Sequence, residues 1–192
     1  MAVILKPRRP TLNREHPHAK GLVFACPFFE GGGTLARELA GNQNNLTSQN
    51  GATWAKGQTG WAASFDGTDD YFDNQAPISL PTGNAARVVS LWVNPTNINP
   101  GGAMVSWGGT SGNMFGLLMF QFGGTQYLYT DGVSTNITTS GAGVLTPGVW
   151  SHVVFANDGA SYAYFVNGVL IQTGSLTPNT GTVTKIRIGE RT

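Results

Sequence analysis

Charge is what this sequence has least of. Only 11% of its 192 residues are Asp, Glu, Lys or Arg, against roughly 25% in an ordinary soluble domain. Asn, Thr, Ser, Gln and Gly must therefore cover most of the surface. Cysteine is nearly missing too: Cys26 stands alone, which excludes an intrachain disulfide and the stapled scaffold of small secreted domains. No apolar run is long enough for a transmembrane helix. Apolar residues at helical spacing are absent, which excludes a helical bundle. No glycine-rich loop leads into a Lys-Ser/Thr pair, so there is no P-loop. Past residue 20 the only histidine is His152, too few for an H-E-x-x-H motif or a histidine zinc site.

What remains is 40% hydrophobic residues cut into short runs by 27 glycines and 10 prolines, the pattern of an all-β chain with many tight turns. One domain suits the length. In ARVVSLWVNP, alternation puts Val89, Leu91 and Val93 on one face and Val88, Ser90 and Trp92 on the other. A second strong strand covers Val149 to Ala156. YAYFVNGVLIQTG reads as a hairpin over Tyr162 to Ile171, because Asn167-Gly168 is the preferred type I′ pair. GLVFACPFFEGGG reads as a strand ending in a glycine turn, with Cys26 a small core residue rather than a nucleophile or metal ligand. Short strands follow near Leu46, in GWAASFDG, DYFD, AMVSWGG, MFGLLMFQF, TQYLYTDG and STNITTS, and VTKIRI is the last. About twelve such strands predict two antiparallel sheets packed as a jelly-roll sandwich.

Residues 1–20 differ from the rest. Pro7, Pro10 and Pro17 oppose helix, and Lys6, Arg8, Arg9, Arg14 and Lys20 face only Glu15. This predicts an extended basic arm on a mildly acidic body spanning 21–192. Its apolar-then-charged order is the reverse of a signal peptide, so no export signal is expected.

Four blocks in order carry a resemblance: GLVFACPFFEGGG with AGNQNN, SFDGTDDYF, VVSLWVNP, and GVWSHVVFANDG leading to AYFVNG. Together they resemble the LamG-like, concanavalin A-like lectin/glucanase sandwich across nearly the whole body. The resemblance implies that Phe65 points inward before an Asp66-Gly67 turn. It also implies that Trp92 and Trp150 pack between the sheets, and that His152, on the same side as Trp150, is an interior hydrogen-bonded histidine. Similar domains continue beyond the IRIG segment, which predicts an open sheet edge that the arm or another subunit covers.

The E-x-D-x-(x)-E strand motif of glycoside hydrolases with this fold is absent, and no enzyme is expected. Asp66, Asp69, Asp70 and Asp73 supply hard oxygen ligands within eight residues, which suits calcium; capping of the turn explains the same residues without a metal. Trp107, Tyr127 and Tyr129 lie near loops and offer flat faces to a pyranose, although any sandwich has aromatics in such places. No specific nucleic-acid binding is expected of a net-acidic body. Three functions fit. The first is a structural or decoration protein on the surface of a phage particle, docked through Lys6, Arg8, Arg9 and Arg14 onto a shell or a neighbouring subunit and forming homo-oligomers. The second is a lectin-like, extracellular carbohydrate-binding module. The third is an accessory domain of an enzyme.

Overall fold

The computed structural model describes residues 11–97, 101–109, 113–122, 125–131, 137–138 and 144–190. Among them the chain forms β1 (Leu35–Ala36), β2 (Leu46–Gln49), β3 (Thr53–Gly57), β4 (Gly60–Ser64), β5 (Tyr71–Asn74), β6 (Arg87–Val93) and β7 (Gly102–Gly108). These are followed by β8 (Met114–Phe122), β9 (Thr125–Asp131), β10 (Ile137–Thr138), β11 (Ser151–Asn157), β12 (Ser161–Val166), β13 (Val169–Ser175) and β14 (Lys185–Ile188). An eight-stranded sheet runs β1-β2-β5-β14-β7-β8-β9-β10, and a four-stranded sheet runs β13-β12-β11-β6. All pairings are antiparallel. This is the two-sheet sandwich that the periodicity predicts.

The core lies between the sheets because alternation turns one row of each strand inward. Val153, Phe155, Tyr164 and Val166 from the small sheet meet Phe115, Leu117, Leu128 and Ile186 from the large one. Phe115 and Phe155 lie 5.6 Å apart, and the Tyr164 hydroxyl bonds Thr130 Oγ1 across the layers. Each fully buried large apolar side chain contributes on the order of 1.5–3 kcal/mol. The Asn167-Gly168 turn has φ of 51° and 80°, as type I′ requires.

Several expectations are corrected. GLVFACPFFEGGG forms no strand: Pro27 lacks a donor, and Phe28 sits at φ 51°. The segment instead lies along the core, with Val23, Phe24, Cys26 and Phe28 packed against it. Burial there pushes the Cys26 thiol up to about 12. The buried Glu38 carboxylate shapes the adjoining loop by accepting the backbone N–H groups of Ala25 (3.2 Å), Gly41 (3.1 Å), Asn42 (3.0 Å) and Ala40. The β3–β4 hairpin was not expected; it forms a separate two-stranded sheet whose Trp54 joins Phe28 and Phe72 in an aromatic cluster.

Trp92 does not pack between the sheets. It is 52% exposed and stacks on His152 on the outer face of the small sheet, where His152 Nε2 meets Ser90 Oγ at 2.8 Å. Trp150 precedes β11, is half-buried, and does not join the core cluster. The last described strand, β14, is interior to the large sheet, paired by β5 and β7, while β6 and β13 form the edges of the small sheet.

Residues 11–20 are not fully extended: Pro17–Ala19 make one 3₁₀ turn with no buried residue. Arg14 donates to the Ala40 carbonyl, so this part of the arm lies on its own body. Lys6, Arg8 and Arg9 lie outside the described residues.

Candidate functional site

The outer face of the large sheet is built by the same alternation that fills the core. On β8 and β9, Phe115, Leu117, Leu128 and Thr130 point inward. Leu118, Phe120, Tyr127 and Tyr129 therefore point outward, with Leu118 opposite Tyr129 and Phe120 opposite Tyr127. Phe120 and Tyr127 stack at 5.0 Å and 20°, and Tyr129 meets Phe120 edge-on at 5.7 Å. The half-buried rings form a small aromatic platform.

Beside the platform runs a polar row set by the register Thr47–Asp73–Arg187–Ser106–Gly116. Arg187 lies 4.5 Å above the Tyr71 ring and pairs with Glu190, which Ser106 Oγ approaches at 3.5 Å. Gln49 donates to Asp73 at 2.9 Å, and Gln75 donates to its other oxygen. Arg187 Nε has no acceptor among the described residues. From β9 to β14 are three strand spacings, about 14 Å, so flat rings and hydrogen-bonding groups share one face.

Two of the three residues expected to take a sugar, Tyr127 and Tyr129, stand together here. The third does not. Trp107 is 5% exposed, faces inward against Phe115 at 4.2 Å, and donates its indole N–H to the Pro81 carbonyl at 2.9 Å. It offers no face to a ligand. Phe120, Arg187, Glu190 and Gln49 were not singled out from the sequence. The alternation of MFGLLMFQF alone would have found Phe120.

Carboxylate oxygens of Asp66, Asp69 and Asp70 lie within 4.8 Å of one another at the turn between β4 and β5. Their capping role is seen in the hydrogen bonds. The Asp66 and Asp70 side chains accept the backbone N–H groups of Thr68 (2.7 Å) and Asp66 (2.9 Å), which caps the turn. Each keeps a second oxygen, and oxygens around one Ca²⁺ at about 2.3–2.6 Å are spaced up to about 5 Å apart, so the cluster fits calcium. Asp73 is not part of it: it belongs to β5 and the polar row.

These features define a lectin-like two-sheet sandwich. Residues 66–192 match the family model of the concanavalin A-like lectin/glucanases superfamily, and the chain belongs to that superfamily. Among solved structures it is similar to domain 4 of AbnA, a GH43 extracellular arabinanase from Geobacillus stearothermophilus, solved with arabinotriose. That match has a TM-score of 0.56 and 19% identity, over 80% of this chain and 86% of the other. The enzymatically active domain of tailspike protein 2 from bacteriophage CBA120 matches with a TM-score of 0.56 and 12% identity, over 76% of this chain but 27% of the tailspike. A GH54 α-L-arabinofuranosidase matches with a TM-score of 0.52 and 13% identity, over 82% of this chain and 43% of that one. At such identities the likeness is one of fold. No curated protein matches the sequence.

Proposed function

We propose that this chain is a non-enzymatic surface module that binds carbohydrate on the outer face of its eight-stranded sheet. The observation that carries this is the Phe120–Tyr127–Tyr129 platform set against the Arg187 row. Sugar C–H faces stack on flat rings, while hydroxyls need a few fixed polar groups. Gln49 and Glu190 supply these. A domain of the same fold has been solved with arabinotriose, which makes arabinose-containing polysaccharides the first ligands to try. Binding rather than turnover is favoured because, among the described side chains, the two carboxylates of the polar row are engaged: Asp73 by two glutamine amides and Glu190 by Arg187. Calcium at Asp66, Asp69 and Asp70 would stiffen the neighbouring turn.

The test is equilibrium binding on a polysaccharide panel. Tyr127→Ala and Tyr129→Ala should each weaken binding about tenfold, a loss of about 1.4 kcal/mol, with circular dichroism unchanged. Equal affinity in both variants would remove the platform from the site.

A second role, as a component of a phage particle surface, is favoured by the basic segment with Lys6, Arg8 and Arg9 and by the like fold in a bacteriophage tailspike. Deleting residues 2–20 should leave the sandwich folded and abolish incorporation into the particle. Normal incorporation of the shortened chain would refute that role.

A further inference from the structure

The outer face of the four-stranded sheet is apolar where a sandwich normally turns polar side chains to water. Val88 is 70% exposed, Trp92 52% and Leu170 53%, and with Phe165 and Val154 they form one continuous surface. Among the described residues of these four strands, His152 is the only ionisable side chain on this face, and it is occupied by Ser90 and Trp92. Contiguous apolar surface of this kind marks an interaction site.

We infer that this face docks a second copy of the same chain, sheet on sheet, about a two-fold axis lying across the strands. Two observations select that occupant. The first is charge: a face without ionic side chains can meet itself with no like-charge repulsion, whereas a charged partner would find nothing to pair with. The second is shape. The register gives three rows across the sheet. The first holds Trp92 beside His152; the middle row runs Ser90–Val154–Phe165–Leu170; the third is built of the small residues Ala156 and Ala163, flanked by Val88. A two-fold axis along the middle row lays Trp92 of one copy over Val88 of the other and His152 over Ala156. The larger side chains of the first row thus meet the smaller ones of the third at both ends, Trp92 against the apolar Val88 and His152 against Ala156, which is the self-complementarity an isologous contact requires. The area lies at the lower end for a specific contact, which suits a weak dimer. A face of four strands and seven residues measures about 23 by 19 Å. A pair thus covers on the order of 900 Å² in projection, close to the roughly 1,000 Å² a specific interface needs.

Sedimentation equilibrium of the full chain between about 1 and about 100 µM tests this. The apparent mass should rise from that of the 20.3 kDa chain towards twice that value. Leu170 faces itself across the axis and is exposed, so Leu170→Lys and Leu170→Glu should keep the fold, by circular dichroism, and each remain monomeric. Mixing them should restore the dimer, since unlike charges then oppose. Trp92→Ser should weaken association at least tenfold. A wild-type chain that stays monomeric over this range overturns the proposal and leaves the face to another occupant. So does a dimer that persists in both charge variants, or a mixture that stays monomeric.

Discussion

Arg87 is a buried cation with no carboxylate partner among the described residues, and its removal separates what charge does from what shape does. The side chain is 4% exposed at the start of β6. Its guanidinium donates to the carbonyls of Ala85 (3.0 Å) and Gly83 (2.9 Å) and to Thr180 Oγ1 (2.6 Å). It also lies 5.2 Å from the Phe115 ring and 5.8 Å from that of Trp107. Burial lowers it to about 10, so it is charged at neutral pH. The fork thereby ties the loop before β6 to the segment before β14, where Gly83 and Thr180 form an isolated bridge. Arg87→Met would fill the space but leave the Ala85 carbonyl and Thr180 Oγ1 without this donor, at about 1–3 kcal/mol each when they stay buried, while the Gly83 carbonyl keeps the Thr180 N–H at 3.1 Å. Partial access of water to the Ala85 carbonyl brings the expected cost to about 3 kcal/mol. Arg87→Lys keeps the charge but reaches at most part of the planar fork and loses the ring stacking, so about 2 kcal/mol should go. Urea unfolding measures both. For a domain of this size about 3 kcal/mol corresponds to a fall in Tm of about 6–12 °C. A lysine variant within about 0.5 kcal/mol of wild type would show that charge alone matters and that the fork geometry does not.

Three further outcomes are expected. Cys26, raised by burial from its ordinary 9.0 to about 12, should resist alkylation at pH 8 on the order of a thousandfold better than a free thiol, and reaction at the free-thiol rate would refute its burial. Because the folded state favours the neutral thiol, that contribution to stability is complete below pH 9 and is lost as pH rises towards 12. Gly168→Val should cost at least about 1 kcal/mol, since φ 80° suits no β-branched residue; a neutral result would mean the turn is relaxed. Calcium at about 100 times its dissociation constant should stabilise by about 2.7 kcal/mol, and the double variant Asp66→Asn with Asp69→Asn should abolish the gain. A Tm indifferent to calcium and chelator would leave the cluster as a turn cap.

What the sequence disclosed and what it hid follow from the range of the interactions. The Asn167-Gly168 turn was legible because its constraint is local: two positive φ values in adjacent residues. Trp92 was misplaced although its strand was right. Alternation separates Val89, Leu91 and Val93 from Val88, Ser90 and Trp92 but does not say which set is inside, and the aliphatic row took the core. Trp107 was harder still. In AMVSWGG nearly every residue is buried, because β7 lies mid-sheet between β14 and β8, and a strand buried on both faces shows no alternation to read. Alternation places Tyr127 and Tyr129 on one face, but it says nothing of the polar residues beside them. Asp73, Arg187 and Ser106 come from segments more than thirty residues apart, brought into one row only by strand order.

The two outer faces of the sandwich point in opposite directions, and this decides what dimerisation would do to binding. If the small sheets stack face to face, the two eight-stranded sheets end up outermost, with their aromatic platforms turned away from each other. Such a dimer cannot place both sites on one flat surface, so it gains little avidity there; it can bridge two surfaces or two polymer strands, where a second engagement adds 10²–10⁴ to the apparent affinity. Bridging and binding are therefore separable by mutation. Leu170→Lys, which lies on the far side from Tyr127, should bind soluble polysaccharide as wild type does yet fail to agglutinate polysaccharide-coated beads, whereas Tyr127→Ala should lose both. Agglutination by a chain shown to be monomeric would mean that the second site lies on the same protomer, and the division of labour between the two faces would be wrong.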